Sequence, residues 1–189
     1  AIPVILGSLL RVPAGFYANR YGSRILFVFS FLSLIIPVLY LSHANTFFDL
    51  MISGFLLGVA GATFSIGVTS LPNYYPKEKH GTINGIYGVG NLGTAITTFA
   101  APLLANAFGW AVTVRLYLIL LLLFSVLNFI FGDKQEPRVK KSVLKQFKQV
   151  YTNEKLWFLS IFYFITFGSF VAFTVYLPNF LVTEFTLDK

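Results

Sequence analysis

The sequence predicts an all-α, polytopic bundle of membrane-spanning helices, on three observations. Hydrophobic residues make up 56% of the 189-residue chain and charged residues only 11%. A soluble domain carries about 25% charged residues, so this chain has too little charge to cover a water-facing surface. Long apolar runs recur along it, and its basic residues collect in alternate connections between those runs.

A helix crossing a bilayer needs about 20 mostly apolar residues, and it satisfies its own backbone hydrogen bonds, as lipid demands. Six segments qualify. The first, about 1–16, opens inside an apolar run and is followed by Arg20 and Arg24. The second, about 25–42, leads into SHANTFFD, which has no Lys or Arg. The third, about 50–72, is followed by Lys77 and Lys79. The fourth, about 81–107, is rich in glycine and leads into NAFGW, again without a basic residue. The fifth, about 112–131, carries Arg115 near its start, where the side chain can snorkel to the interface. The sixth is about 157–181.

Between the fifth and sixth segments lies a polar, basic stretch, 132–156, with Lys134, Arg138, Lys140, Lys141, Lys145, Lys148 and Lys155. The positive-inside rule puts the three basic connections on the cytoplasmic side. Leu144, Phe147 and Val150 form a short apolar stripe within 132–156. Two readings stand: an amphipathic helix on the inner membrane face, drawn to anionic lipid, or a solvated linker. The expected organisation is therefore 1–131 with five spans, 132–156 as connection and 157–189 with the sixth. The chain begins and ends beside apolar runs, and the expectation is a piece of a longer protein.

The fourth span contains GVGNLG, a literal G-x-G-x-x-G at Gly88, Gly90 and Gly93. A dinucleotide fingerprint needs a strand before it, a helix after it and an acidic residue about 20 positions on. Residues 82–132 contain no Asp or Glu, and the motif sits inside an apolar helix. The glycines instead suit close helix packing, in which small residues let membrane helices touch backbone to backbone. Gly81, Gly85, Gly88, Gly90 and Gly93 form one array, and Gly54, Gly58, Gly61 and Gly67 of the third span offer a partner surface. Packing alone does not explain Asn91. A buried amide in lipid needs a partner or a cavity, so Asn91 is either interhelical glue or a donor to substrate.

Arg11, in LLRVPAG, is the one charge placed at depth. Arginine at a helix centre costs at least about 2.5–3.5 kcal/mol on insertion scales. No Asp or Glu lies at depth in these spans, so its counter-charge is either elsewhere in a longer protein or an anionic ligand. The planar guanidinium pairs bidentately with flat oxyanions such as carboxylate and nitrate. His43 and His80 both fall in connections, so proton relay by these spans is disfavoured. The sequence has no cysteine, and no paired carboxylates, His-x-x-x-His or Ser with a nearby His at membrane depth. Neither a catalytic group nor a metal or other cofactor is expected, and the chain reads as a non-enzyme. The net charge of +7 belongs to the membrane connections and does not imply nucleic acid.

GFYANRYGSR, residues 15–24, resembles the loop motif G-x-x-x-D-R-x-G-x-R of the major facilitator superfamily, with Gly15, Arg20, Gly22 and Arg24 in place and Asn19 where the aspartate usually stands. Residues 58–102 are similar to the nitrate signature region of the nitrate/nitrite porter (NarK/NarT-type) family, and look closest to its NarT-type branch. Arg11, Pro13 and Gly15 match that family's R-x-P-x-G, and LSIFYFITFGSFVAF, residues 159–173, resembles its seventh helix.

The resemblance implies that the chain covers about helices two to seven of twelve, with 132–156 joining two halves that rock about a central pathway. It implies that Arg11 binds nitrate, that Asn91 lies near the ion, and that Phe64, Tyr163 and Phe167 line the site. A second binding arginine is expected on an eighth helix, outside this chain. With 22 phenylalanines in the chain, packing or lipid contact is the ordinary role of any one of them, and only the resemblance singles out Phe64 and Phe167. The implied activity is nitrate and nitrite transport across the cytoplasmic membrane, by exchange or by proton-coupled uptake. A carrier for another small anion, such as a carboxylate, and a non-transporting nitrate sensor are the alternatives.

Overall fold

The structure, a computed structural model, describes residues 2–136 and 151–185. Every regular element among them is helical: α1 (Ile2–Tyr21), α2 (Ser23–Ser33), α3 (Ile35–Ser42), α4 (Phe47–Leu57), α5 (Val59–Ser70), α6 (His80–Gly88), α7 (Leu92–Phe108), α8 (Trp110–Phe131) and α9 (Glu154–Phe185). Two compact units divide between Lys140 and Lys141, with α1–α8 in the first and α9 in the second. The stripe of Leu144, Phe147 and Val150 lies outside the described residues.

Five stretches are long and apolar enough to cross a membrane: Ser23–Ser42, Phe47–Tyr74, Lys77–Phe108, Trp110–Phe131 and Glu154–Leu177. They correspond to the second to sixth predicted spans. The first, α1, is a 20-residue helix, but Arg11, Asn19 and Arg20 make it less apolar than the rest.

Three of the five spans are built from two helical pieces. The turn at Leu34 separates α2 from α3, and Pro37 lies one turn on. Proline has no N–H to offer the carbonyl four residues back, and its ring crowds that carbonyl, here that of Ser33. The step from α4 to α5 occurs at Gly58, where Gly58 N–H donates to the Phe55 carbonyl (3.0 Å) and Gly61 N–H to the Gly58 carbonyl (2.9 Å). These three-residue bonds tighten the helix. A 3₁₀ turn at Val89–Asn91 separates α6 from α7.

Single glycines make two of the sharp connections. Gly22, with φ +94°, lies between α1 and α2, and Gly109, with φ +82°, between α7 and α8. Only glycine enters this backbone region without strain. At the start of α4, Thr46 accepts from the Asp49 N–H (3.1 Å) while Asp49 accepts from the Thr46 N–H (3.0 Å), a capping box that satisfies two N–H groups.

Large apolar side chains point outward, with Phe29 70% exposed and Phe99 79%. Small polar ones are buried: Ser30, Ser42, Ser53, Ser70, Thr113 and Ser125. Lipid takes apolar surface at no cost, so membrane helices bury small residues that let backbones approach. Ser53, fully buried, returns its hydroxyl to the Asp49 carbonyl at 2.7 Å. Within the first unit α1 packs chiefly on α5 and α4, α2 on α8 and α5, and α3 on α8 and α4.

The basic end is fastened between α2 and α8. The Arg24 guanidinium donates to the Phe129 carbonyl through Nε (3.0 Å) and a terminal nitrogen, and lies 4.9 Å from the centre of the Phe129 ring. Asn128 Nδ2 donates back to the Arg24 carbonyl (3.0 Å). The buried Glu136 carboxylate accepts from the backbone N–H of Ser23 and from its hydroxyl (2.8 Å). A carboxylate here meets both the unpaired N–H groups and the positive end of the α2 dipole.

Candidate functional site

At 1.5 Å per residue α1 is about 30 Å long, and Arg11 stands at its middle. It reaches α5 because α1 and the α4–α5 step touch backbone to backbone. A side chain at Gly7 would lie 2.8 Å from the Gly58 carbonyl oxygen, and one at Gly58 would overlap the carbonyl of Pro3. Gly61 lies beside Gly7 at the same crossing. One turn beyond Gly7, the half-buried Arg11 donates from Nε to the Gly61 carbonyl at 3.2 Å. That bond ties the guanidinium at the middle of α1 to the α5 main chain.

Gly61, Phe64 and Gly67 follow at three-residue spacing along α5, about 4.5 Å per step. Phe64 stacks on Tyr87 of α6, with ring centres 5.0 Å apart and planes at 27°. The Tyr87 ring occupies the space that a side chain at Gly67 would fill. Along α5, Phe64 lies in sequence between Gly61, which holds Arg11, and Gly67, which receives Tyr87.

Gly67 was expected only as a packing glycine, and Tyr87 was not selected from the sequence. An aromatic opposite a glycine is visible only once the register of the two helices is known. Three residues before Tyr87, the buried Oδ1 of Asn84 has no hydrogen-bond partner among the described residues.

The expected partner surface divides in this geometry: Gly67 meets the fourth span, through the Tyr87 ring. Gly58 and Gly61 pack against Gly7 instead. A side chain at Gly85, Gly88, Gly90 or Gly93 would meet nothing within 4 Å among the described residues. The reason is that α1 takes the glycine face of the α4–α5 span, leaving α6 to dock through Tyr87. Asn91 ends the 3₁₀ turn and is exposed, and its carbonyl accepts from Thr94 Oγ1 at 2.7 Å. It lies near the middle of Lys77–Phe108, as Gly61 and Phe64 lie near the middle of Phe47–Tyr74.

In the second unit, Tyr163 and Phe167 stack on each other at 5.1 Å with planes at 6°, near the middle of Glu154–Leu177. Of the loop motif, Gly22 supplies the positive φ, Arg24 grips α8, and Arg20 lies 5.5 Å from the Tyr21 ring. A side chain at Gly15 would stand 3.1 Å from Thr69 Oγ1. A carboxylate does serve this loop, but it comes from Glu136 and not from position 19. A recess of about 340 Å³ between α3, α5, α7 and α8 has apolar walls, among them Leu34, Val38, Ala101 and Leu121, and offers an anion nothing.

The family model described as Major Facilitator Superfamily matches residues 1–188. The chain belongs to the Major Facilitator Superfamily. It is 63% identical over 188 residues to the "Nitrite extrusion protein" of Bacillus subtilis (strain 168), a match covering all of this chain and 48% of that protein. It is 55% identical over 189 residues to the "Probable nitrate transporter NarT" of Staphylococcus epidermidis and to that of Staphylococcus aureus (strain Newman), covering all of this chain and 49% of each. The chain thus spans about half the length of the curated relatives it matches. For this superfamily member, multi-pass insertion in a membrane follows from the family and from five helices long and apolar enough to cross one.

Proposed function

We propose that the protein carrying this chain moves nitrate and nitrite across the cytoplasmic membrane by alternating access, without covalent chemistry on its substrate. The observation that carries the reading is 55–63% identity, along the whole chain, to proteins named for nitrite extrusion and nitrate transport. The geometry supports it. Arg11 stands at the middle of α1 with its Nε on the Gly61 carbonyl, and a planar guanidinium matches a planar oxyanion. Carriers of this architecture bind substrate near the bilayer midplane, at interrupted helices. Here the interruptions at Gly58 and at Val89–Asn91 fall near the middle of Phe47–Tyr74 and Lys77–Phe108.

In this reading Arg11 and the Asn91 amide donate to nitrate oxygens, and Phe64, Tyr163 and Phe167 are the apolar walls. The remainder of the same transporter supplies the second wall, and the basic segment 132–156 meets anionic lipid. The glycines at 85, 88, 90 and 93 keep a smooth face over which helices slide.

The test is nitrate uptake into proteoliposomes holding the whole protein. One set is loaded with nitrite. The other has no internal anion and carries an imposed proton gradient. Uptake in the nitrite-loaded set alone identifies an exchanger, and uptake driven by the proton gradient identifies symport. Failure in both sets removes nitrate transport as the function, in favour of another small anion or a sensor.

A further inference from the structure

Tyr87 is the one aromatic of α6, and its ring does two things at once. One face stacks on Phe64 at 5.0 Å. The ring also fills the notch left by the missing side chain of Gly67. Phe64 in turn sits one step along α5 from Gly61, the residue whose carbonyl holds Arg11. Stacking favours the Phe64 rotamer that keeps the two rings together. Without the wedge, Phe64 loses the ring that it stacks on.

We infer that Tyr87 is a positioning residue for selectivity: seated in the Gly67 notch, it holds the Phe64 ring as a fixed wall beside Arg11 and so limits the size of anion that the arginine can take. The inference rests on the nitrate/nitrite reading above and deepens it. Tyr87 acts on substrate through Phe64, and Gly67 acts through Tyr87. Loss of the wedge weakens nitrate binding and admits a bulkier flat anion, while the transport cycle itself continues.

The experiment uses the whole protein in proteoliposomes, with nitrate as substrate and acetate as the bulkier competitor, rates being normalised to reconstituted protein. Tyr87→Leu is expected to raise the KM for nitrate roughly tenfold with kcat within about twofold, and to strengthen inhibition by acetate. Tyr87→Phe, which keeps the ring, is expected to rescue KM to within about threefold of wild type. Gly67→Ala is expected to raise KM in the wild-type background and to add nothing in the Tyr87→Leu background, because the ring it displaces is already gone.

Three results overturn the inference: an unchanged KM in Tyr87→Leu, Tyr87→Phe behaving like Tyr87→Leu, or Gly67→Ala acting equally in both backgrounds. Should Gly67→Ala fail to insert, the Leu and Phe variants still decide. Absence of nitrate and nitrite flux in the wild type removes the transport reading, and this role with it. Wild-type flux with an unchanged Tyr87→Leu removes this role alone.

Discussion

Arg11 and Gly61 are fifty positions apart in sequence and 3.2 Å apart in space, the arginine Nε–H donating to the glycine carbonyl. The bond depends on the crossing of α1 over the α4–α5 step, where Gly7, Gly58 and Gly61 bring two backbones into contact. A charge at the middle of α1 is thereby held on a main-chain oxygen. The crossing, the depth of the arginine and the orientation of its fork are one arrangement.

The crossing has a direct stability test. A methyl group at Gly58 would overlap the Pro3 carbonyl and stand 3.0 Å from Leu6 Cβ, whereas one at Gly88 would meet nothing within 4 Å among the described residues. Overpacking costs about 1–3 kcal/mol. Gly58→Ala is therefore expected to lower the melting temperature in detergent clearly, and Gly88→Ala to leave it unchanged or slightly raised. Equal melting temperatures for the two variants contradict the crossing.

Glu136 is expected to contribute through its charge at the start of α2. Glu136→Gln keeps the shape of the side chain but loses the charge–dipole attraction and weakens the bonds from Ser23. The expected cost is about 0.5–2 kcal/mol, read as a lower melting temperature. A variant as stable as wild type would reduce Glu136 to a bystander at the helix end.

Arg24→Lys retains the positive charge and the basic end, but a single ammonium cannot reproduce two bonds to the Phe129 carbonyl and the stacking on its ring. A loss of about 1 kcal/mol is expected. Unaltered stability in Arg24→Lys shows that charge alone matters there.

Gly109 isolates a backbone effect. Its φ is +82° and a methyl group there would touch nothing within 4 Å among the described residues. Gly109→Ala is expected to cost about 1–2 kcal/mol through strain alone. A stability within error of wild type would mean that the α7–α8 turn relaxes to a conformation open to alanine.

Much of the fold was legible in the sequence, because a run of twenty apolar residues has few meanings once lipid is the solvent. The place of Arg11 at the middle of a helix was legible from the apolar residues on either side of it. Which helix meets which was not. The glycine spacing showed faces ready for close contact, but Gly58 and Gly61 fit Gly7 as well as they fit Gly85 or Gly88. Only the path of the chain through Gly22 decides between them.

The same limit hid the pairing of Tyr87 with Gly67. A glycine opposite an aromatic carries no local signal when ten tyrosines and fifteen glycines are available. Asn19 broke the loop motif, and nothing in the local sequence pointed to Glu136 as the carboxylate that serves Ser23. The breaks at Leu34 and Gly58 have local causes in Pro37 and in glycine, but periodicity reads straight through them.

The most direct test of the central claim, that Arg11 grips a flat anion with its fork, is nitrate uptake by the whole protein carrying Arg11→Lys beside wild type. The arginine and lysine proteins hold the same charge at the same depth. Wild type is expected to transport nitrate, and Arg11→Lys to lose roughly a hundredfold in kcat/KM, equivalent to about 2.7 kcal/mol. Unchanged kcat/KM in Arg11→Lys would contradict it and return Arg11 to a purely structural role at the α1–α5 crossing.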